Sequence, residues 1–381
     1  MNILYLVHDL SDAAVAKRVA MLTDGGADVR VAGFCRAVTP PDKIAGCPAL
    51  SFGQTHNGGF AQRTFSVLRE AATLSRHREI FAAPDIIIAR TLEMLALAVR
   101  GQGFRAPPTP IIYESLDIHR LLLKNGPVGQ ALRTIEQRLA ARTAGLITSS
   151  PAFTYEYFHK CTNISGPIRL IENKVYRHEV PAPQNPPRIP GPPWKIGWFG
   201  ALRCFKSLEI LSDLARNSGG KIEVILRGRP AYDQMPDFDR ITSQTPHLRY
   251  VGPYKNPDDL EDIYREVHFS WAIDMYEEGL NSSWLLPNRL YEGGLYAAVP
   301  LALNTVETGR YLEKLGLGLL LENPLEQSLQ HAFDALTPEQ YTALETAARE
   351  APPSQWCASK EESKDLVNWL QSLTTHKETA T

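Results

Sequence analysis

Apolar residues fall along the chain in short unbroken runs separated by stretches of helical period. Residues 2 to 7 form one run; Ala14, Val15, Val19, Ala20 and Leu22 then recur at helical spacing, Gly25-Gly26 interrupts, and Val29 to Phe34 is apolar again. The rhythm continues with predicted strands at Asp85 to Ala89, Pro110 to Tyr113 and Gly145 to Thr148. Helices are predicted near Leu92 to Val99 and from Val128 to Thr143. Unbroken Ile, Val and Leu suit strands covered on both faces, as in a parallel sheet.

A proline-rich stretch over residues 181–193 cannot sit inside a core element and reads as a semi-rigid linker. Beyond it strands are predicted at Lys195 to Phe199, Ile222 to Leu226, Arg249 to Val251, Val267 to Ile273 and Pro300 to Leu303. Helices are predicted at Ser207 to Ala215, Leu260 to Glu266 and Asn288 to Ala297, and the tail from Pro338 to Leu373, with Trp356 and Trp369, is helical. The fold class is therefore α/β, with two Rossmann-like, doubly wound parallel-sheet domains. The expected divisions are 1–180, the linker 181–193, 194–355, and a terminal helix and tail over 356–381. Ligands of such sheets bind beyond the carboxyl ends of the strands, so two facing domains would enclose a cleft.

A length of 381 residues suits two domains, and 44% hydrophobic with 22% charged residues is ordinary for a globular chain. Five scattered cysteines without a C-x-x-C pair give neither a disulfide framework nor a zinc site, and fit a reducing cytoplasm. The first apolar run lacks the basic flank of a signal peptide, and no stretch is long enough to span a bilayer.

Charge changes the picture more. Through residue 180 there are 21 Lys+Arg against 15 Asp+Glu, a balance of +6; the remainder has 19 against 27, or −8. The basic half offers Arg63, Arg69, Arg76 and Arg78, then Arg120, Lys124, Arg133, Arg138 and Arg142, either as solvated helix faces or as a peripheral contact with an anionic membrane. Nothing points to nucleic acid.

Two segments carry candidate chemistry. In the first, the strand ending at Gly200 runs into Arg203 and Lys206 and then a helix. A glycine permits close backbone approach, free N–H groups at a helix start favour an anion, and the two cations would complete a diphosphate pocket. In the second, Asn288 is expected as an N-cap with Glu292 one turn further on. A carboxylate there can accept hydrogen bonds from vicinal ribose hydroxyls, or can simply favour the helix dipole.

Trp198 to Leu208, Leu286 to Gly294 with Ala297-Ala298-Val299-Pro300 behind it, and Ile171-Glu172-Asn173-Lys174 resemble retaining GT-B glycosyltransferases of family 4 that assemble bacterial polysaccharides. The resemblance covers most of the chain and implies a hexosyltransferase that uses a nucleotide-sugar donor, UDP-linked by family habit. It implies no metal and no cofactor, and a saccharide or lipid-linked acceptor. The donor set it implies is Gly200, Arg203, Lys206, Arg227, Tyr254, Asn288, Arg289 and Glu292, and its last helix crosses back onto the N-terminal domain, a use for Trp369.

The sequence also departs from that pattern. The family's Glu-x7-Glu is broken because position 285 is Leu, leaving Glu278, Asn281 and Ser282 as candidates for the donor sugar. The glycine-rich loop after the first strand is replaced by His8-Asp9-Leu10-Ser11-Asp12, which makes His8 and Asp9 candidate acceptor contacts. Tyr113-Glu114-Ser115-Leu116-Asp117-Ile118-His119 follows a strand; Glu114 is an acceptor candidate, and Asp117 or His119 would either orient the sugar or acceptor hydroxyl or play a structural part. Asp237-Phe238-Asp239 mimics a D-x-D metal motif but sits in a polar stretch, so no metal is expected there. A nucleotide-sugar 2-epimerase and a catalytically silent nucleotide-sugar-binding scaffold remain alternative readings. The expected location is the cytoplasm, at the inner face of its membrane where the acceptor is lipid-linked.

Overall fold

A computed structural model describes residues 1–55, 60–177 and 186–375. Two compact units form: residues 1–172 with 359–381, and residues 173–358. The division falls at Glu172/Asn173, ahead of the proline-rich stretch.

The first unit is built on strands β1 (Asn2–Val7), β2 (Asp28–Cys35), β3 (Lys43–Ile44), β4 (Cys47–Gln54), β5 (Ile86–Arg90), β6 (Ile111–Ser115), β7 (Gly145–Thr148) and β8 (Ile168–Leu170). Their order in the sheet is β3-β4-β2-β1-β5-β6-β7-β8, parallel except for the β3/β4 pair. Ile3, Tyr5, Val7, Ile86, Ile88, Ile112 and Ile147 are buried together, as continuous apolar strands require. The C-terminal helix, Lys360–Thr375, belongs to this unit and sets Leu366, Val367 and Leu370 into the same core. It lies so close to the helix Ala13–Asp24 that a Cβ on Gly25 would stand 2.4 Å from the Ser363 carbonyl oxygen.

The second unit contains β9 (Val175–Tyr176), β10 (Trp194–Leu202), β11 (Ile222–Pro230), β12 (Leu248–Tyr250), β13 (Phe269–Trp271), β14 (Val299–Leu303), β15 (Leu319–Leu321) and β16 (Cys357–Ala358). Six of these form a parallel sheet in the order β12-β11-β10-β13-β14-β15, and β9 pairs with β16 apart from it. Its core includes Trp194, Trp198, Trp271 and Phe269.

Residues 181–185 of the expected linker lie outside the described residues. The remainder is anchored to the second unit: the Arg188 guanidinium donates to the carbonyls of Tyr264, Tyr296 and Ala297 and pairs with Glu345 at 2.8 Å. The tail expected as one helical stretch is two helices, Pro338–Glu350 and Lys360–Thr375, separated by a 3-10 turn and β16. A capping box between Thr337 and Gln340 starts the first of them.

Candidate functional site

In the second unit the chain builds β10, β11 and β12 toward one edge and β13, β14 and β15 toward the other, so the sheet's switch point lies between β10 and β13. The segment leaving β10 carries Arg203 and Lys206 into the helix Phe205–Asn217, whose opening amides lack intrahelical carbonyl partners, the Ser207 N–H meeting the Cys204 Sγ cap at 3.4 Å. The segment leaving β13 carries Asp274, Tyr276 and Glu278. The two segments meet: the Arg203 guanidinium carbon lies 4.6 Å from the centre of the Tyr276 ring, and Lys206 Nζ lies 2.6 Å from Glu278 Oε2.

Glycines give this strand end its room. Gly200, Gly228 and Gly252 have φ of +109°, +136° and +94°. Gly200 and Gly228 are register partners, and a Cβ on Gly228 would stand 1.8 Å from Gly200 O. A Cβ on Gly200 would meet only Tyr254 Oη, at 3.9 Å, so the space before Gly200 is open and bounded by that hydroxyl.

Asp274 organises the floor. Its carboxylate accepts from the Ser282 hydroxyl and the Tyr276 N–H and lies 3.4 Å from Arg289 Nη2. Burial pushes its carboxyl up, but Arg289, Ser282 and Arg203 outweigh burial and hold it below the usual range. Arg289 donates to the carbonyls of Trp271 and Ile273 at 2.6 and 2.7 Å. Arg289, expected to touch donor, thereby clamps the end of β13 through Nε and Nη2.

Glu292 is 7% exposed. It accepts from Asn256 Nδ2 at 2.8 Å and from Tyr264 Oη at 3.2 Å. Burial, reinforced by the Glu292 carboxylate, raises the pKa of Tyr254 and of Tyr264, which places both phenols beside it. The N-cap assignment of Asn288 is corrected: the cap is Pro287, and Asn288 is the first helical residue with no side-chain cap bond, since the fixed φ of Pro287 already sets the helix entry. Arg227 lies 3.4 Å from Glu266, which also binds Arg249, and its Nε is buried with no hydrogen-bond partner among the described residues. Gly200, Arg203, Lys206, Tyr254, Glu278 and Glu292 therefore gather at one strand end. Asp274, Tyr276, Asn256 and Tyr264 join them without having been singled out in the sequence; for Asp274 the only signal was its place directly after an apolar run. Asp237 and Asp239 are occupied by Arg240 and Tyr232, and among the described residues no cluster of His, Cys, Asp or Glu is placed to hold a metal ion.

In the first unit the switch point lies between β1 and β5. Glu114 is corrected from acceptor contact to buried counterion: it is 0% exposed, takes the Tyr5 hydroxyl, and pairs with Arg18 at 2.7 Å and Arg90 at 3.6 Å. Burial raises its carboxyl, and the two arginines more than reverse that. Asp9 is likewise corrected. It is 4% exposed and accepts from Ser11 N, Ser11 Oγ and Arg36 N, which holds its loop together.

His8 stays available. Its Nδ1 is buried with no hydrogen-bond partner among the described residues, and burial beside Arg90 lowers its pKa to about 4, so the ring is neutral at pH 7. Extending the β1/β5 register brings His8 beside Thr91, whose hydroxyl is also buried without a partner among the described residues and whose φ of +81° is strained for a β-branched residue. Asp117 and His119 are exposed, and His119 Nδ1 caps the short helix Arg120–Leu123 by accepting from Leu121 N.

No model of a known protein family matches the chain. The succinoglycan biosynthesis protein ExoL of Rhizobium meliloti is 45% identical over 381 residues, covering 98% of this chain and 94% of that protein. Among solved structures, sucrose-phosphate synthase from Thermosynechococcus elongatus superposes with a TM-score of 0.71 at 13% identity, covering 98% of each chain. Anabaena HepE in complex with UDP-glucose gives 0.69 at 15% identity, covering 98% of this chain and 99% of that one. The fold is GT-B, and the chain belongs to the family of the succinoglycan biosynthesis protein ExoL.

Proposed function

We propose that the chain is a retaining, metal-independent glycosyltransferase of exopolysaccharide assembly, which moves a hexose from a UDP-sugar bound in the second unit to a saccharide or lipid-linked saccharide. The observation that carries this reading is the pairing of two cations with a helix start at the β10/β13 switch point. Arg203 is in no ion pair among the described residues, so its guanidinium is available to a ligand. The relative's name places that protein in succinoglycan biosynthesis, and HepE, on the same fold, holds UDP-glucose.

The chemistry follows from charge. As the sugar–phosphate bond breaks, negative charge grows on the diphosphate; Arg203, Lys206 and the first amides of Phe205–Asn217 stabilise it more than the ground state. Glu292, held by Asn256 and Tyr264, receives the ribose hydroxyls. A phosphate oxygen of the departing group takes the acceptor proton on the face it leaves, which preserves configuration. His8 and Thr91 offer the acceptor hydroxyls two polar atoms that lack partners among the described residues.

Release of UDP from UDP-glucose and UDP-galactose without acceptor tests the assignment. The double variant Arg203→Ala/Lys206→Ala should lose about 100-fold or more with unchanged circular dichroism. Near-normal release would refute the assignment, release abolished by EDTA would refute metal independence, and an isomerised sugar would identify an epimerase.

The first unit meets an anionic membrane through its helix Pro127–Ala140. Val128 and Ile135 there are 60% and 47% exposed, and Lys124, Arg138 and Arg142 are exposed beside them, whereas the helix's one acid, Glu136, is buried. Arg133 is not part of this face, since its guanidinium donates to the carbonyls of Leu122 and Lys124. Among the described residues no helix is long and apolar enough to cross a membrane. Co-sedimentation with phosphatidylglycerol vesicles, weakened by salt and by Arg138→Glu/Arg142→Glu, is the expected result; salt-independent or absent binding removes the membrane from the proposal.

A further inference from the structure

The ring of Tyr276 lies under Arg203 and has no part in the chemistry above. An exposed arginine samples many rotamers, and a fixed phosphate donor needs one of them selected. An ion pair with a carboxylate would select one, but at the cost of the N–H fork, as Lys206 gives its ammonium to Glu278. Stacking differs. A guanidinium held over a ring, 4.6 Å from its centre, is located without giving its N–H donors to a carboxylate, and Arg203 is in no ion pair among the described residues.

The ring is itself held in place. The Tyr276 N–H donates to Asp274 Oδ1 at 3.2 Å, Asp274 is tied to Ser282 and Arg289, and the Tyr276 side chain packs against the apolar core of the second unit. The platform is therefore fixed to the end of β13, across the switch point from the strand that delivers Arg203.

We infer that Tyr276 is a positioning residue, which sets affinity for the nucleotide diphosphate by holding Arg203 edge-on to it, without touching the ligand. The inference rests on the diphosphate reading of Arg203, and the experiment separates the two. UDP affinity is measured by titration calorimetry on the full chain for wild type, Arg203→Ala, Tyr276→Phe, Tyr276→Leu and Arg203→Ala/Tyr276→Leu, with thermal unfolding followed in parallel.

Tyr276→Phe keeps the ring face and should bind UDP as wild type does. Tyr276→Leu should bind about two- to fivefold more weakly, the range of an exposed cation–π contact, and should add nothing once Arg203 is gone. Should Tyr276→Leu fail to fold, Tyr276→Met fills the same space without a ring and carries the comparison. Wild-type affinity in Arg203→Ala overturns the diphosphate assignment and this role with it. A loss in Arg203→Ala combined with wild-type affinity in Tyr276→Leu, or with fully additive losses in the double variant, overturns the positioning role alone.

Discussion

Lys206 Nζ and Glu278 Oε2 stand 2.6 Å apart, on side chains 47% and 55% exposed. A pair so open to water contributes about 1 kcal/mol at most, so a diphosphate can displace Glu278 from Lys206. The carboxylate is then an internal competitor for the anion. Glu278→Gln should bind UDP more tightly, by up to about fivefold, and the gain should vanish in a Lys206→Ala background. Titration calorimetry decides it: a gain that persists without Lys206 means simple repulsion of the anion, and a weaker affinity means that Glu278 contacts the nucleotide.

The central strands of the first unit were legible because burial on both faces leaves an apolar Ile, Val and Leu signature, which β1 and β5 carry; β10 was read from its buried Trp198 and Phe199 ahead of Gly200. Strands β3 and β4 were not, because Lys43–Ile44 and Cys47–Gln54 lie at the sheet edge and mix apolar with polar positions. At the sites, sequence reasoning found residues just after strands but could not tell ligand contacts from buried partners. Glu114 shows why: its ion-pair partner Arg18 is 96 positions away, and no local pattern reports that. Asn256 and Tyr264 escaped notice for the same reason, since they meet Glu292 across 36 and 28 positions.

Close strand-end packing makes Gly228 the more sensitive of the two paired glycines. A Cβ there meets Gly200 O at 1.8 Å on a backbone at φ +136°, whereas Gly200 at +109° has only the distant Tyr254 hydroxyl before it. Gly228→Ala should destabilise the second unit by about 3 kcal/mol or more, and Gly200→Ala by roughly 1–2 kcal/mol. Urea unfolding followed by tryptophan fluorescence reads both. Equal losses would mean that the Gly228 approach is not the limiting contact.

His8 should make the first unit acid-sensitive. Burial holds its folded pKa near 4 against 6.5 for the free side chain, so between those values the unfolded chain binds the proton and the folded chain does not. Stability therefore falls as pH drops from 6.5 to 4, by about 3.4 kcal/mol as an upper limit. The carboxyl of Glu136 is raised by burial and acts in the opposite sense, while Glu114 and Asp9, both held low, lose their contribution only at lower pH. The comparison that isolates His8 is the pH dependence of the melting temperature in wild type and His8→Gln. A flatter slope above pH 4 in the variant is expected, and identical slopes would refute the assignment.

Glu292 offers a test in which the ligand, rather than the protein, loses the group. Its two oxygens accept from Asn256 and Tyr264, which fixes the carboxylate plane, and a charged carboxylate is a strong acceptor for a diol. A hydrogen bond to a charged acceptor is worth about 1.5–3 kcal/mol, so UDP should bind roughly 10- to 100-fold more tightly than 2′-deoxy-UDP. Glu292→Gln keeps the shape but loses the charge and one acceptor, and the preference should shrink to a few-fold with 2′-deoxy-UDP affinity nearly unchanged. Asn256→Ala removes only the brace and should reduce the preference less. If the wild-type chain binds both nucleotides equally while Glu292→Gln weakens both, Glu292 holds the helix Asn288–Leu295 in place and the ribose is recognised elsewhere.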